Sequence, residues 1–228
     1  MKPQKNTSRT HTSLVNNMRR LPVYLVVDTS GSMSGEPIEA VKNGIHSLLT
    51  SLRHDPYALE TVHISVITFD SDARQLAPLT EIMQFQAPDF MASGSTQLGA
   101  ALRLLSERIE REVERGSAER KGDWKPLVFI MTDGIPTDDW RPECGRFKTI
   151  KTGIVVACAA GPNADTAVLK EITENVVQLD TADTKTIEAF FKWVSSSVSV
   201  GSQKVDGGGE ITKLSELPPA PPEMNVVV

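Results

Sequence analysis

The run Leu127-Val128-Phe129-Ile130-Met131-Thr132 is apolar at every position but its last. A strand without polar alternation must be covered on both faces, which is the situation of a parallel strand between two layers of helices. Pro22 to Asp28 (PVYLVVD), Val62 to Phe69 (VHISVITF), Gly153 to Ala159 (GIVVACA) and Val176 to Leu179 are similar short runs rich in β-branched residues. Each reads as a strand. Arg74 to Leu79 reads as a short edge strand.

Between these runs the apolar residues recur at helical spacing. Ile38, Val41, Ile45, Leu48 and Leu52 follow Pro37, a residue suited to a first helical turn. Leu98, Leu102, Leu105 and Ile109 mark a second helix, Val168, Leu169 and Ile172 a third, and Ile187, Phe190, Val194 and Val198 a closing one. Strands alternating with helices of this length predict an α/β fold. Its sheet is central and mostly parallel, with one short antiparallel edge strand and helices on both faces.

The 228 residues are enough for a substantial single core. We expect the folded domain over 20–200. Residues 1–19 read as a flexible basic start, carrying Lys2, Lys5, Arg9 and Arg19 without an acid. Residues 201–228, with Gly207-Gly208-Gly209 and then Pro218, Pro219, Pro221 and Pro222, read as a flexible Gly/Pro-rich tail.

Composition narrows the function classes. The net charge is −5, and the basic excess lies at the start, so the body is acidic. An acidic body disfavours nucleic acid as a partner, because phosphate tracking needs clustered positive charge. No apolar run approaches the roughly 18 residues needed to cross a bilayer, and the polar start MKPQKNTSRTHTS has no apolar signal region. The only cysteines, Cys144 and Cys158, are too few for a disulfide framework. They read as free thiols of a cytoplasmic protein without a membrane partner.

In an open α/β sheet, ligands bind beyond the carboxyl ends of the strands. Two predicted strands end there in a carboxylate: Asp28, in Asp28-Thr29-Ser30-Gly31-Ser32, and Asp133, in Thr132-Asp133-Gly134. A third polar loop, Ser93-Gly94-Ser95-Thr96, precedes the second helix. All these groups are hard oxygen donors, which suit Mg²⁺, with Mn²⁺ or Ca²⁺ as alternatives, and not zinc or copper. Two carboxylates just neutralise a dication, leaving it an electrophile for one more carboxylate from outside.

Asp28-x-Ser30-x-Ser32, Thr96 on a separate loop, and Asp133 in a Thr-Asp-Gly turn together resemble the metal-ion-dependent adhesion site of von Willebrand factor A domains. The resemblance spans about residues 20–200. It implies a Rossmann-like fold and a divalent ion held, directly or through water, by Asp28, Ser30, Ser32, Thr96 and Asp133. It also implies a protein partner that offers an Asp or Glu side chain to the ion. Within that family, Met18 to Tyr24 and Gly35 to Val41 are similar to bacterial TerY proteins of tellurite-resistance loci. That similarity implies a stress-response setting beside a Ser/Thr kinase and a PP2C-like phosphatase.

The competing reading is a Mg²⁺-dependent phosphatase or phosphotransferase of the haloacid dehalogenase kind, which also places an Asp at the end of its first strand. That chemistry requires an acid two positions on, where Ser30 stands. Gly31-Ser32-Met33-Ser34-Gly35 puts Met33 where a nucleophile elbow would place its serine. The chain is therefore expected not to be an enzyme. Asp138, Asp139 and Glu143 read as a solvated loop, with an enlarged acidic rim as the alternative. Trp140 reads either as an exposed partner anchor or as a lid on the core. His46 and His63 read as structural.

Overall fold

In the computed structural model, which describes residues 19–227, seven strands form one sheet in the order β3-β2-β1-β4-β5-β6-β7. The strands are β1 (Leu21–Asp28), β2 (Val62–Phe69), β3 (Ala73–Glu81), β4 (Leu127–Thr132), β5 (Val155–Ala160), β6 (Val176–Leu179) and β7 (Met224–Val227). The helices are α1 (Glu36–Leu52), α2 (Pro56–Thr61), α3 (Leu98–Glu112), α4 (Arg141–Phe147), α5 (Thr166–Ile172) and α6 (Thr184–Asp206). The inner five strands pair in parallel, and β3 and β7 pair antiparallel at the two edges. The expected fold class is thus observed, with two antiparallel edge strands where the sequence suggested one.

Alternation along β1 explains the layering. Leu21, Val23, Leu25 and Val27 face one side and pack with apolar residues of α1 and α6. Tyr24 and Val26 face the other and pack with residues of α3, α4 and α5. Both faces are buried along the whole strand, as its lack of polar alternation requires. Asp55, Asp165 and Asp183 each accept backbone N–H bonds at the start of α2, α5 and α6, supplying partners the first helical turn lacks.

The expectation of a flexible tail over 201–228 is corrected by the structure. The closing helix α6 continues to Asp206, and β7 pairs with β6 from Val176↔Val227 to Leu179↔Met224. Between them the chain is fastened to the body. Ile211 and Leu217 are buried, and the Trp193 indole donates to the Pro218 carbonyl at 2.8 Å. Prolines lack an N–H but keep a carbonyl, so this segment can cross the sheet edge and still be held by its acceptors. The domain therefore extends past residue 200. Residues 1–18 of the expected basic start lie outside the described residues. Arg19 stacks over Trp124, 3.4 Å from the ring centroid, and Arg20 pairs with Asp123 at 2.6 Å.

Candidate functional site

The sheet order reverses between β1 and β4, since β1 leads outward to β2 and β4 leads the other way to β5. Such a switch point opens a crevice at the carboxyl ends of the two strands. Asp28 is the last residue of β1, and Asp133 directly follows β4.

Asp28 is fully buried. Its Oδ1 accepts from the Ser30 N–H at 2.7 Å and its Oδ2 from the Thr132 hydroxyl at 2.5 Å. Gly31 to Met33 then turns as a short 3₁₀ helix, which swings Ser30 and Ser32 to the same side. Their hydroxyl oxygens lie 3.0 Å apart, and the Ser32 hydroxyl donates to Asp133 Oδ1 at 2.6 Å. Thr96 arrives from a third loop. A Cβ placed on Gly134 would stand 3.0 Å from Thr96 Oγ1 and 3.8 Å from Ser32 Oγ. Both hydroxyls therefore converge over Gly134. The five residues singled out from the sequence are brought together from three loops.

The loops are fixed to one another through the backbone. The Gly31 N–H donates to the Gly94 carbonyl at 3.0 Å, and the Ser93 N–H to the Thr29 carbonyl at 2.8 Å. Gly94 sits at φ +76°, a conformation that favours glycine. The Thr29 N–H in turn donates to the Phe69 carbonyl at the end of β2.

Electrostatically the site brings two carboxylates, Asp28 and Asp133, into each other's field. Burial pushes the Asp28 carboxyl above its ordinary range, against the opposing pull of its bonds from Ser30 and Thr132. Burial likewise raises the Asp133 carboxyl, opposed by the Ser32 hydroxyl. Losing water disfavours the charged form until an opposite charge arrives.

Among the described residues no three His, Cys, Asp or Glu side chains gather into a metal cage; the donor set here is two carboxylates and three hydroxyls. All five donors are hard oxygens, which suit a small hard cation such as Mg²⁺.

The residues around the site divide differently from the sequence reading. Asp138 is not part of an acidic rim: both its carboxylate oxygens accept backbone N–H bonds, from Gly99 and Ala100, at 3.1 Å each. Trp140 is a lid on the core, 4% exposed and packed in the α3–α4–α5 layer. Cys158 lies in the core, where burial pushes its thiol far up. Sequence reasoning missed two exposed apolar residues, Met91 and Ile135, on the loops that carry Thr96 and Asp133. At 81% and 64% exposed they exceed every other large apolar side chain among the described residues.

An open, mostly parallel sheet covered by helices on both faces defines a domain of the Rossmann-like class. The sequence model of the von Willebrand factor type A domain matches residues 23–193, and the chain belongs to that family. An uncharacterized protein of Synechocystis sp. is 31% identical over 139 residues, covering 58% of this chain and 30% of its own. The chain thus spans under a third of the length of that curated relative.

Solved structures share the fold at low identity. The pilus adhesin SpaC of Lactobacillus rhamnosus GG matches at a TM-score of 0.63 and 17% identity, over 80% of this chain and 31% of that one. A von Willebrand factor type A protein of Catenulispora acidiphila matches at 0.60 and 16%, over 80% and 43%. Proximal thread matrix protein 1 of the mussel byssus, solved with zinc occupying its MIDAS motif, matches at 0.57 and 18%, over 78% and 48%. Among the described residues no helix is long and apolar enough to cross a membrane.

Proposed function

We propose that this domain is a metal-dependent protein-interaction module, in which a divalent cation, Mg²⁺ foremost, captures an Asp or Glu side chain of a protein partner. The observation that carries the reading is the convergence of Asp28, Ser30, Ser32, Thr96 and Asp133 from three loops, with no further carboxylate among them. When bound, the dication supplies an electrophile that two carboxylates neutralise but do not saturate. Asp28 and Asp133 supply the balancing charge. Ser30, Ser32 and Thr96 supply neutral oxygens, directly or through water, and so leave the ion's appetite for an outside acid intact.

Ile135, two residues after Asp133, and Met91, five before Thr96, stand in solvent and offer a protein partner apolar contact. The phosphatase reading is disfavoured by the same geometry. Ser30 occupies the position that chemistry gives to a proton-donating acid, and its hydroxyl is engaged with Ser32. On this reading the protein is not an enzyme.

The resemblance to TerY proteins supports a narrower setting: a cytoplasmic scaffold in a bacterial tellurite or stress response, working with a Ser/Thr kinase and a PP2C-like phosphatase. Affinity capture from the native host, with Mg²⁺ or with EDTA, tests both levels. Capture that falls with EDTA and with Asp28→Ala or Thr96→Ala supports metal-mediated recognition, and the identity of the captured proteins tests the setting. Equal capture in every case would sink the reading, as would Mg²⁺-dependent phosphatase turnover abolished by Asp28→Asn.

A further inference from the structure

We infer that Asp138 is a positioning residue for the metal site: it locks the loop that carries Asp133 onto the start of α3 and thereby sets the place of Thr96. The inference rests on the proposed metal-binding reading and goes beyond it, because Asp138 lies outside the five-residue motif.

The local sequence creates the need. Helix α3 begins at Leu98 behind Gln97, whose side chain makes no capping bond. Its first free N–H groups therefore need an acceptor from elsewhere. Asp138 supplies it from 38–39 residues away, Oδ1 accepting from the Gly99 N–H and Oδ2 from the Ala100 N–H, both at 3.1 Å. A carboxylate at a helix start also meets the positive end of the helix dipole.

The neighbouring residue completes the clamp. The Thr137 N–H and hydroxyl both donate to the Thr96 carbonyl, at 2.8 and 3.2 Å. Four hydrogen bonds thus join residues 137–138 to residues 96–100, and they begin on Thr96 itself. Gly99 is what lets the two segments come so close. A Cβ there would lie 2.8 Å from Asp138 Oδ2 and 2.9 Å from the Trp140 Cα. The buried Trp140 ring holds the far side of the loop against the core.

The consequence is geometric. Thr96 and Asp133 come from separate loops. Backbone bonds tie the Thr96 loop to the loop after Asp28, and the clamp ties it to the loop after Asp133, starting from the Thr96 backbone and ending five residues after Asp133. Groups that orient a metal's ligands without touching the metal commonly account for ten- to hundredfold in affinity.

A double-mutant cycle with Mn²⁺ as the probe, titrated in the full chain by electron paramagnetic resonance, tests this. Asp138→Ala in the otherwise native chain is expected to weaken Mn²⁺ binding by roughly ten- to a hundredfold. In a Thr96→Ala background the same change should alter Mn²⁺ binding by less than about twofold, the scatter expected for uncoupled sites. Where affinity is too low to titrate, the rise in Tm at saturating Mn²⁺ reads the same cycle. A helix cap with no influence on the site would lower Tm in both backgrounds and leave Mn²⁺ affinity alone. Asp138→Asn retains one acceptor oxygen and should recover part of the affinity; it also replaces the alanine variant in the cycle if that variant does not fold. Equal losses in both backgrounds, or no loss in either, overturn the role of Asp138 while the metal site stands. Failure of the native chain to bind Mn²⁺, or binding unaffected by Asp28→Ala, overturns both.

Discussion

The Ser32 hydroxyl donates to Asp133 Oδ1 at 2.6 Å across 101 residues of sequence. One short hydrogen bond therefore joins the loop after β1 to the end of β4, where the order of the sheet reverses. It also marks a site held together by its own polar groups at a cost: Asp28 behind it is fully buried and has its carboxyl pushed up by burial.

Asp28→Asn should therefore act in opposite directions with and without metal. Without metal, a buried acid whose folded-state pKa is raised loses stability as pH climbs through the carboxylate range, because ionisation costs more in the fold than in the open chain. The amide removes that cost, so the metal-free variant should melt higher than the native chain at neutral pH. With Mg²⁺ the order should reverse. A ligand at a hundred times its Kd stabilises by about 2.7 kcal/mol, and the variant forfeits that gain. Thermal melts in EDTA and in excess Mg²⁺ decide it. A variant that melts lower in both conditions would mean that the carboxylate is a structural group.

Ile135→Ser separates recognition of the partner from binding of the ion. Ile135 stands 64% exposed two residues after Asp133 and offers no oxygen to the site. Its replacement should leave Mg²⁺ affinity within about twofold while weakening metal-dependent capture of the partner, as truncation of a residue near the centre of an interface costs about 1 kcal/mol or more, about fivefold. Calorimetry with Mg²⁺ alone, set beside capture of the partner, reads the two quantities separately. Unchanged capture would remove the apolar rim from the recognition surface.

Gly44→Ala should destabilise, against the usual sign. In a helix interior alanine is normally favoured over glycine by about 1 kcal/mol. Here a Cβ would stand 2.4 Å from Phe191 Cδ2 and 2.6 Å from its Cγ. Phe191 belongs to α6, so the clash would push apart the two helices that cover one face of the sheet. Overpacking of this kind costs about 1–3 kcal/mol, enough to cancel the gain in propensity and leave a net loss. Urea titration of the two chains gives the sign directly.

How much of this was legible beforehand follows from the range of each interaction. The strands and long helices are written in local apolar spacing, so Leu127–Thr132 and the Ile38–Leu52 pattern declared themselves. Asp28 and Asp133 were legible because they stand at strand ends where the topology converges, and the resemblance to the adhesion-site motif singled out Ser30, Ser32 and Thr96 beside them. Asp138 was not. Its role depends on Gly99 and Ala100, 38–39 residues away, and its sequence neighbours look like any solvated loop. Trp140 left two readings open because only the packing of α4 against α3 decides its burial. The C-terminal segment was misread because Gly and Pro content describes a free chain. The partners that hold it here, Trp193 and strand β6, lie well before it in sequence.

That C-terminal segment should also leave a signature in acid. The Glu216 carboxylate accepts from the Lys204 ammonium and from the Thr212 and Lys213 N–H groups, at 2.8 and 3.0 Å for the last two. The Lys204 bond, more than any other contact, holds its pKa down at about 2. A carboxylate depressed in the fold contributes stability that is complete above its ordinary value of 4.5 and drains away as pH falls from there towards about 2. Glu216 is partly exposed, so solvent screens the contribution and it will be modest. Glu216→Gln should accordingly flatten the fall of the urea midpoint between pH 4.5 and 2.5. Because the Trp193 indole is bonded to Pro218, its fluorescence should report release of the segment at a higher pH in Glu216→Gln than in the native chain. An acid limb identical in the two chains would show that the Lys204–Glu216 pair does not hold the segment down, and that β7, the buried Ile211 and Leu217 and the Trp193–Pro218 bond do.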